Sequence, residues 1–197
     1  MTASLDKVYA VILAAGASTR MGSPKQLLVW ENRTLLGHVV SNVRSLLEER
    51  SVVVLGAHDE SIQACMNLAG VNVIVNRDWR EGIASSIRAG IGALPASASA
   101  VAILLCDQPL IGRAQIQALL NRWQSEPSRI VASVYSDGLG VPALFPAEFF
   151  RHLMKLEGDR GAKAVLMKFE SSLSKIPMPE AELDIDSARD FEHLKKR

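Results

Sequence analysis

The chain has 197 residues, 48% of them apolar and 22% charged, with a formal net charge of +1. A chain of this length makes one large domain that buries about 70% of its unfolded surface. The near-neutral balance excludes a basic nucleic-acid footprint and an acidic tail. The two cysteines, Cys65 and Cys106, stand in no metal-ligand spacing, and no run approaches the ~20 apolar residues that cross a bilayer. A reduced, cytoplasmic protein with no nucleic-acid or membrane partner is expected.

Val8 to Leu13 is short, apolar and without alternation, the pattern of a buried parallel strand. A loop of small residues and cations follows, Ala14 to Lys25. Thr34 to Glu48 carries an apolar stripe at helical spacing with Thr34 as its N-cap. Ser51–Leu55 reads as a strand, residues 60–68 as a helix and Val71–Val75 as a third strand. After a loop from Asn76 to Gly82, residues 83–94 read as a helix that Gly90 and Gly92 weaken. Ala100 to Cys106 is the most apolar strand and stops at Asp107-Gln108-Pro109. A helix through Trp123, a strand from Ile130 to Tyr135 and a turn at Ser136-Asp137-Gly138 come next. Beyond Pro146 the pattern gives short helices broken by Gly158 and Gly161, a strand near Leu173 to Ile176 and a last helix from Ser187.

Strands alternate with helices through at least four cycles. That predicts a three-layer, doubly wound α/β fold with a mostly parallel sheet. In such sheets ligands bind at the carboxyl ends of the strands, near a switch in strand order. The loops after Leu13, Val75, Cys106 and Tyr135 are therefore where chemistry belongs.

The first of them reads Leu13-Ala-Ala-Gly-Ala-Ser-Thr-Arg-Met-Gly-Ser-Pro-Lys25. Gly16 and Gly22 permit tight turns and close approach of backbone N–H groups to a ligand. Ser18 and Thr19 add hydroxyls, and Arg20 and Lys25 add charge, which suits a polyphosphate. Neither the GxxxxGK[ST] spacing nor GxGxxG is present. Asp107, at the sheet's carboxyl edge, can take one site on Mg²⁺ or cap the next helix. Asp184 and Asp186, two apart, share a direction in extended chain; either they hold metal, or Asp186 or Ser187 caps the last helix. Asn76, Gly82 and Ser86 could face a base or ribose, and Trp79 could stack on a ring or plug the core. The stretch from Asp137 through Gly140 to Pro142, and Gly158-Asp159-Arg160-Gly161, read as an acceptor pocket or as ordinary turns. No Ser/His/Asp or Cys/His constellation supplies a nucleophile.

Leu13-Ala-Ala-Gly-x-Ser-x-Arg-Met-Gly-x-x-Lys25, Asn76-x-x-Trp79-x-x-Gly82, Cys106-Asp-Gln-Pro109, Gly140-Val-Pro142, Gly158-Asp-x-Gly161 and Asp184-Ile-Asp186 together resemble the molybdenum-cofactor cytidylyltransferases and their guanylyltransferase relatives, within the MobA-like NTP transferases. The resemblance implies a Rossmann-like nucleotide-diphospho-sugar transferase fold: one nucleotidyltransferase domain over 1–197, with NTP bound by about 1–110 and the acceptor by about 111–197. It implies a triphosphate held by the Leu13, Ala14, Ala15, Gly16, Ser18, Met21 and Gly22 loop with Arg20, and Lys25 near the α-phosphate. Mg²⁺ would sit on Asp107 and Asp186, and the nucleoside near Asn76, Gly82 and Ser86. Gly140, Pro142, Gly158 and Asp159 would line the acceptor site. The acceptor implied by the resemblance is a phosphorylated pterin, and a molybdoenzyme would receive the product. Ala15 stands where guanylyl members have Gly, which favours CTP over GTP. The family's usual pattern is departed from in two motifs: Ile83 stands in place of Met, and Ser187-Ala188 in place of Thr-Pro. An NAD(P)-dependent oxidoreductase on a related fold, a GTP-using guanylyltransferase and a non-catalytic pterin carrier are the rivals.

Overall fold

The computed structural model describes residues 3–136 and 138–196; Asp137 of the predicted turn lies outside them. In chain order the elements are β1 (Val8–Ala14), β2 (Val29–Trp30), β3 (Arg33–Thr34), α1 (Leu35–Leu47), β4 (Ser51–Leu55), α2 (Asp59–Cys65), β5 (Asn72–Val75), α3 (Ile83–Gly92), β6 (Ala100–Leu105), α4 (Arg113–Ser125), β7 (Ile130–Tyr135), β8 (Gly138–Pro146), α5 (Phe150–Leu153), α6 (Lys163–Lys168), β9 (Leu173–Pro177) and α7 (Ala188–Leu194).

Seven strands form the central sheet in the order β5-β4-β1-β6-β8-β7-β9. β5, β4, β1 and β6 run parallel, β8 runs antiparallel to both neighbours, and β7 pairs parallel with β9. The apolar runs lack alternation because both faces are covered. Val8, Ala10, Ile12 and Ala14 of β1 pack with α1 and α4 on one side. Val11 and Leu13 pack with α3, α5 and α6 on the other. Gly90 is a packing requirement: a Cβ there would lie 2.4 Å from Val11 Cγ1, so α3 sits closer to β1 than an alanine allows. Thr34 caps α1, its side chain accepting from Gly37 N–H at 3.0 Å.

Three segments differ from the sequence-based expectation. Residues 60–68 were expected to be helical, but α2 ends at Cys65; Asn67 Oδ1 accepts from Ala69 N–H at 3.0 Å and turns the chain toward β5. Residues 29–34 form a hairpin whose turn residues Glu31 and Asn32 both take positive φ, 47° and 63°. Residues 138–142, expected as acceptor-pocket lining or ordinary turns, fall in the nine-residue strand β8 (Gly138–Pro146).

The chain runs from β1 outward to β4 and β5, then crosses back to lay β6 on β1's other side. The switch in strand order therefore falls between β1 and β6.

Candidate active site

Register decides what meets at the switch. Leu13 pairs with Leu105, and Cys106 N–H donates to the Leu13 carbonyl at 3.2 Å. Both strands end at one level, so the glycine-rich loop leaves β1 beside Asp107 leaving β6. A cleft of about 380 Å³ opens there, within the ~300–1,000 Å³ common for small-molecule sites. Its walls include Leu13 to Ala17 and Lys25 on one side, Cys106 and Asp107 on another, and Trp79, Gly82, Ser86 and Asp159 opposite.

The loop is held from behind. Gln26 is 1% exposed, and its Nε2 donates to the carbonyls of Ala14 (2.8 Å) and Gly16 (3.0 Å). His58 Nε2 donates to the Ala17 carbonyl at 2.9 Å. Ser18 Oγ accepts from Lys25 N–H at 3.1 Å, and the Ser18 carbonyl accepts from Met21 and Gly22 N–H. Met21 packs in the apolar cluster around Leu35 and Phe191. The carbonyls are thus consumed on the protein side, and no acceptor among the described residues takes the Gly16 or Ala17 N–H. A Cβ on Gly16 would meet nothing within 4 Å. Unpartnered N–H groups beside open space are an anion cradle.

Charge is concentrated at one end. Lys25 Nζ bonds Asp107 Oδ2 and Asp186 Oδ1 (3.0 Å), and Arg20 Nη2 bonds Asp186 Oδ2 at 2.8 Å. Burial pulls the Lys25 pKa down, but the charge and hydrogen bond of Asp107 outweigh it and raise it. Asp186 is opposed by burial too, yet bonding to Lys25 leaves it below the usual carboxylate range. Partial burial, then the charge of Asp107, pushes Asp184 up to about 6. Burial raises the Cys106 thiol, which stays neutral and is no nucleophile.

Asp107 does not cap α4; Gly112 holds that position. Ser187 Oγ caps α7, accepting from Asp190 N–H, which leaves the Asp186 carboxylate to Lys25 and Arg20. The bond from Ile185 N–H to the Asp107 carbonyl, 2.9 Å, brings the Asp184–Asp186 segment alongside β6. Asp107 Oδ1 is buried and has no hydrogen-bond partner. A carboxylate oxygen left bare in this way fits a divalent cation. Among the described residues no group of three or more His, Cys, Asp or Glu is arranged as a self-sufficient metal site.

The opposite wall rests on Gly82. Its φ is +116°, and a Cβ would lie 2.4 Å from the Gly158 carbonyl oxygen and 2.5 Å from Asp159 Oδ1. Only glycine allows the 158–159 turn to close on α3, where Ala84 N–H donates to Gly158 O at 3.1 Å.

Of the residues expected at a site, Asn76 does not line the cleft. It is 5% exposed and its Nδ2 donates to the hydroxyls of Ser85 (2.8 Å) and Ser86 (3.0 Å), so it braces α3. Gly140 and Pro142 lie within β8 rather than on the cleft. A Cβ on Gly140 would lie 1.9 Å from the Tyr135 hydroxyl, so a larger residue there would have to displace that side chain. Gly158 backs the cleft and Asp159 lines it. Sequence reasoning missed Gln26 and His58, both on the loop's inner side.

Fold and site define a doubly wound α/β protein with an anion cradle and a carboxylate pair at its switch point. A family model described as the MobA-like NTP transferase domain matches residues 10–173, and the chain belongs to that family. It is 35% identical over 133 residues to nicotine blue oxidoreductase of Paenarthrobacter nicotinovorans, covering 67% of this chain and 64% of that one. It is 24% identical over 195 residues, 98% of both chains, to molybdenum cofactor cytidylyltransferase of Escherichia coli K12. The solved structure of Rv0371c from Mycobacterium tuberculosis H37Rv superposes with a TM-score of 0.86 at 28% identity, covering 97% of this chain and 99% of that one. A manganese complex of Rv0371c gives 0.81 at 27% identity, covering 96% and 98%. The chain spans just under two thirds of the oxidoreductase, and 27% and 31% of two bifunctional GlmU proteins that it also matches. No helix among the described residues is long and apolar enough to cross a membrane.

Proposed function

We propose that the chain is a divalent-metal-dependent nucleotidyltransferase that moves CMP from CTP to a phosphorylated pterin-type acceptor, releasing pyrophosphate. The observation that carries this reading is Lys25 Nζ, bonded to both Asp107 and Asp186 at the mouth of a cleft floored by unpartnered N–H groups. Family membership supports it, as does the full-length likeness to a molybdenum cofactor cytidylyltransferase.

The loop from Leu13 to Gly22 takes the triphosphate, its amides donating to the phosphate oxygens. Lys25 and Arg20 offset the charge that builds on the α-phosphate and the leaving pyrophosphate. Asp107 and Asp186 would hold a divalent cation such as Mg²⁺, which would supply neutralisation of the phosphate charge; the manganese complex of Rv0371c supports a cation in this fold. Gly82, Ser86 and Trp79 face the nucleoside. An oxygen of the acceptor phosphate attacks the α-phosphorus, the bond to the β-phosphate oxygen breaks, and pyrophosphate leaves. The attacking oxygen is already anionic at neutral pH, so no protein base or nucleophile is required. The acceptor reaches the cleft from the side formed by residues beyond 110, where Asp159 lies.

One observation favours hydride transfer with NAD(P): the 35% identity to nicotine blue oxidoreductase. Against it, β4 ends at Leu55-Gly56 with no acidic residue for a ribose. A thermal-shift panel of CTP, GTP, NAD and NADP, each with and without Mg²⁺, separates the readings. The proposal expects CTP with Mg²⁺ to stabilise most, by about 2.7 kcal/mol at a hundredfold excess over Kd. Stabilisation by NAD or NADP, indifferent to Mg²⁺, would overturn it.

A further inference from the structure

On the side of α5 and α6, backing the nucleotide cleft, lies a second cavity of about 440 Å³. Lys155, Arg160 and Lys168 line it together with His152. Glu157 is the one carboxylate among its lining residues. Lys25, Arg88, Arg122 and Lys175 are each paired with a carboxylate. Lys155, Arg160 and Lys168 form no ion pair among the described residues. A chain of net charge +1 thus gathers three unpaired cations against one anion in a single concavity. Arg151 Nε donates to His152 Nε2 at 3.4 Å, and desolvation, then the charges of Lys168, Arg151 and Lys155, hold the ring below its usual pKa. The ring is fixed by Phe169, 4.6 Å away between centroids. Leu156, Ala164 and Val165 give the cavity an apolar wall.

The cavity and the cleft share the segment 156–160. Leu156, Gly158 and Arg160 face the cavity, whereas Asp159 faces the cleft. The segment is pinned to α3 by Ala84 N–H to Gly158 O and by Arg88 Nη1 to Leu156 O at 2.6 Å.

We propose that this cavity is a second anion site, separate from the nucleotide cleft, that takes the phosphate group of a small phosphorylated molecule. The cations meet the phosphate oxygens, and His152 completes the polar contacts. The apolar wall receives the organic part, so an aryl phosphate binds more tightly than inorganic phosphate. A ligand here presses on the same segment that closes on Gly82, so it is coupled to the cleft, and the coupling is reciprocal.

Histidine-labelled protein, without nucleotide or metal, is titrated with inorganic phosphate and with phenyl phosphate at constant ionic strength while the ring resonances are followed. His58, bonded to the phosphate-loop carbonyl of Ala17, reports on the first cleft, and His152 on the second. The expected result is a saturable shift of His152 with both ligands, tighter for phenyl phosphate. In the double variant Lys155→Gln, Lys168→Gln it weakens on the order of tenfold or more, with the His38 and His193 resonances unmoved as evidence of an intact fold. A still His152, an equal shift on adding chloride, or unchanged affinity in the double variant would overturn the proposal. Because no nucleotide or metal is present, failure of the transferase reading leaves this outcome untouched.

Discussion

Replacing Gln26 by leucine keeps the volume of the side chain and deletes its amide. Two carbonyls then lose their partner: Ala14 O, in a buried bond, and Gly16 O, in a partly buried one. An unsatisfied buried acceptor costs about 1–3 kcal/mol, so the pair costs roughly 2–4 kcal/mol. In a chain of this size that corresponds to a fall in Tm of about 4–16 °C. The loop also loses the contacts that fix its shape, and CTP affinity should fall with stability. Urea unfolding and CTP titration calorimetry read the two effects. Gln26→Glu keeps the shape but offers two carbonyls a carboxylate, so it should be at least as damaging at pH 7 and partly recover as that carboxyl protonates. If Gln26→Leu unfolded within about 0.5 kcal/mol of the wild type and bound CTP equally well, the bracing role of Gln26 would be wrong.

Other outcomes follow from the same geometry. Gly90→Ala gains up to ~1 kcal/mol of helix propensity but drives a Cβ to 2.4 Å from Val11 Cγ1 on a central strand, so a net loss of roughly 1–2 kcal/mol is expected in urea unfolding. Gly92→Ala, with nothing within 4 Å, should be neutral or stabilising. The Asp184 carboxyl titrates at about 6 in the folded chain against 3.8 as a free group. The folded state therefore binds the proton more tightly, and stability is lost as pH rises through that window. Asp184→Asn should gain stability relative to the wild type between pH 4 and pH 6, and a flat difference would contradict the assignment. Ala15→Gly should raise kcat/KM for GTP relative to CTP in pyrophosphate-release assays; an unchanged ratio removes Ala15 from base selection.

The core strands and the two central loops were legible because β1 and β6 are unbroken apolar runs, the first running into the glycine-rich loop and the second into Cys106-Asp107. β8 was not, because Gly138, Gly140, Pro142 and Pro146 are residues that usually punctuate turns. Gly140 packs against the Tyr135 hydroxyl of the adjoining strand, and single-residue periodicity carries no sign of it. Asn76 looked ligand-facing for its type and place, yet its amide is spent on Ser85 and Ser86. Gln26 hid for the converse reason: one polar residue after Lys25 gives no hint that it points inward. Asp186 could be separated from a helix cap only by seeing Ser187 take that position.

Asp107 and the β1 loop are assigned to metal-assisted nucleotidyl transfer. Incubation with Mg²⁺, α-labelled CTP and molybdopterin, followed by mass measurement of the product and of pyrophosphate, tests it directly. The expected product is the acceptor heavier by one CMP, formed with equimolar pyrophosphate and absent with a folded Asp107→Ala variant. No transfer from any nucleoside triphosphate, together with substrate-dependent oxidation of NADH or NADPH by the same preparation, would contradict it.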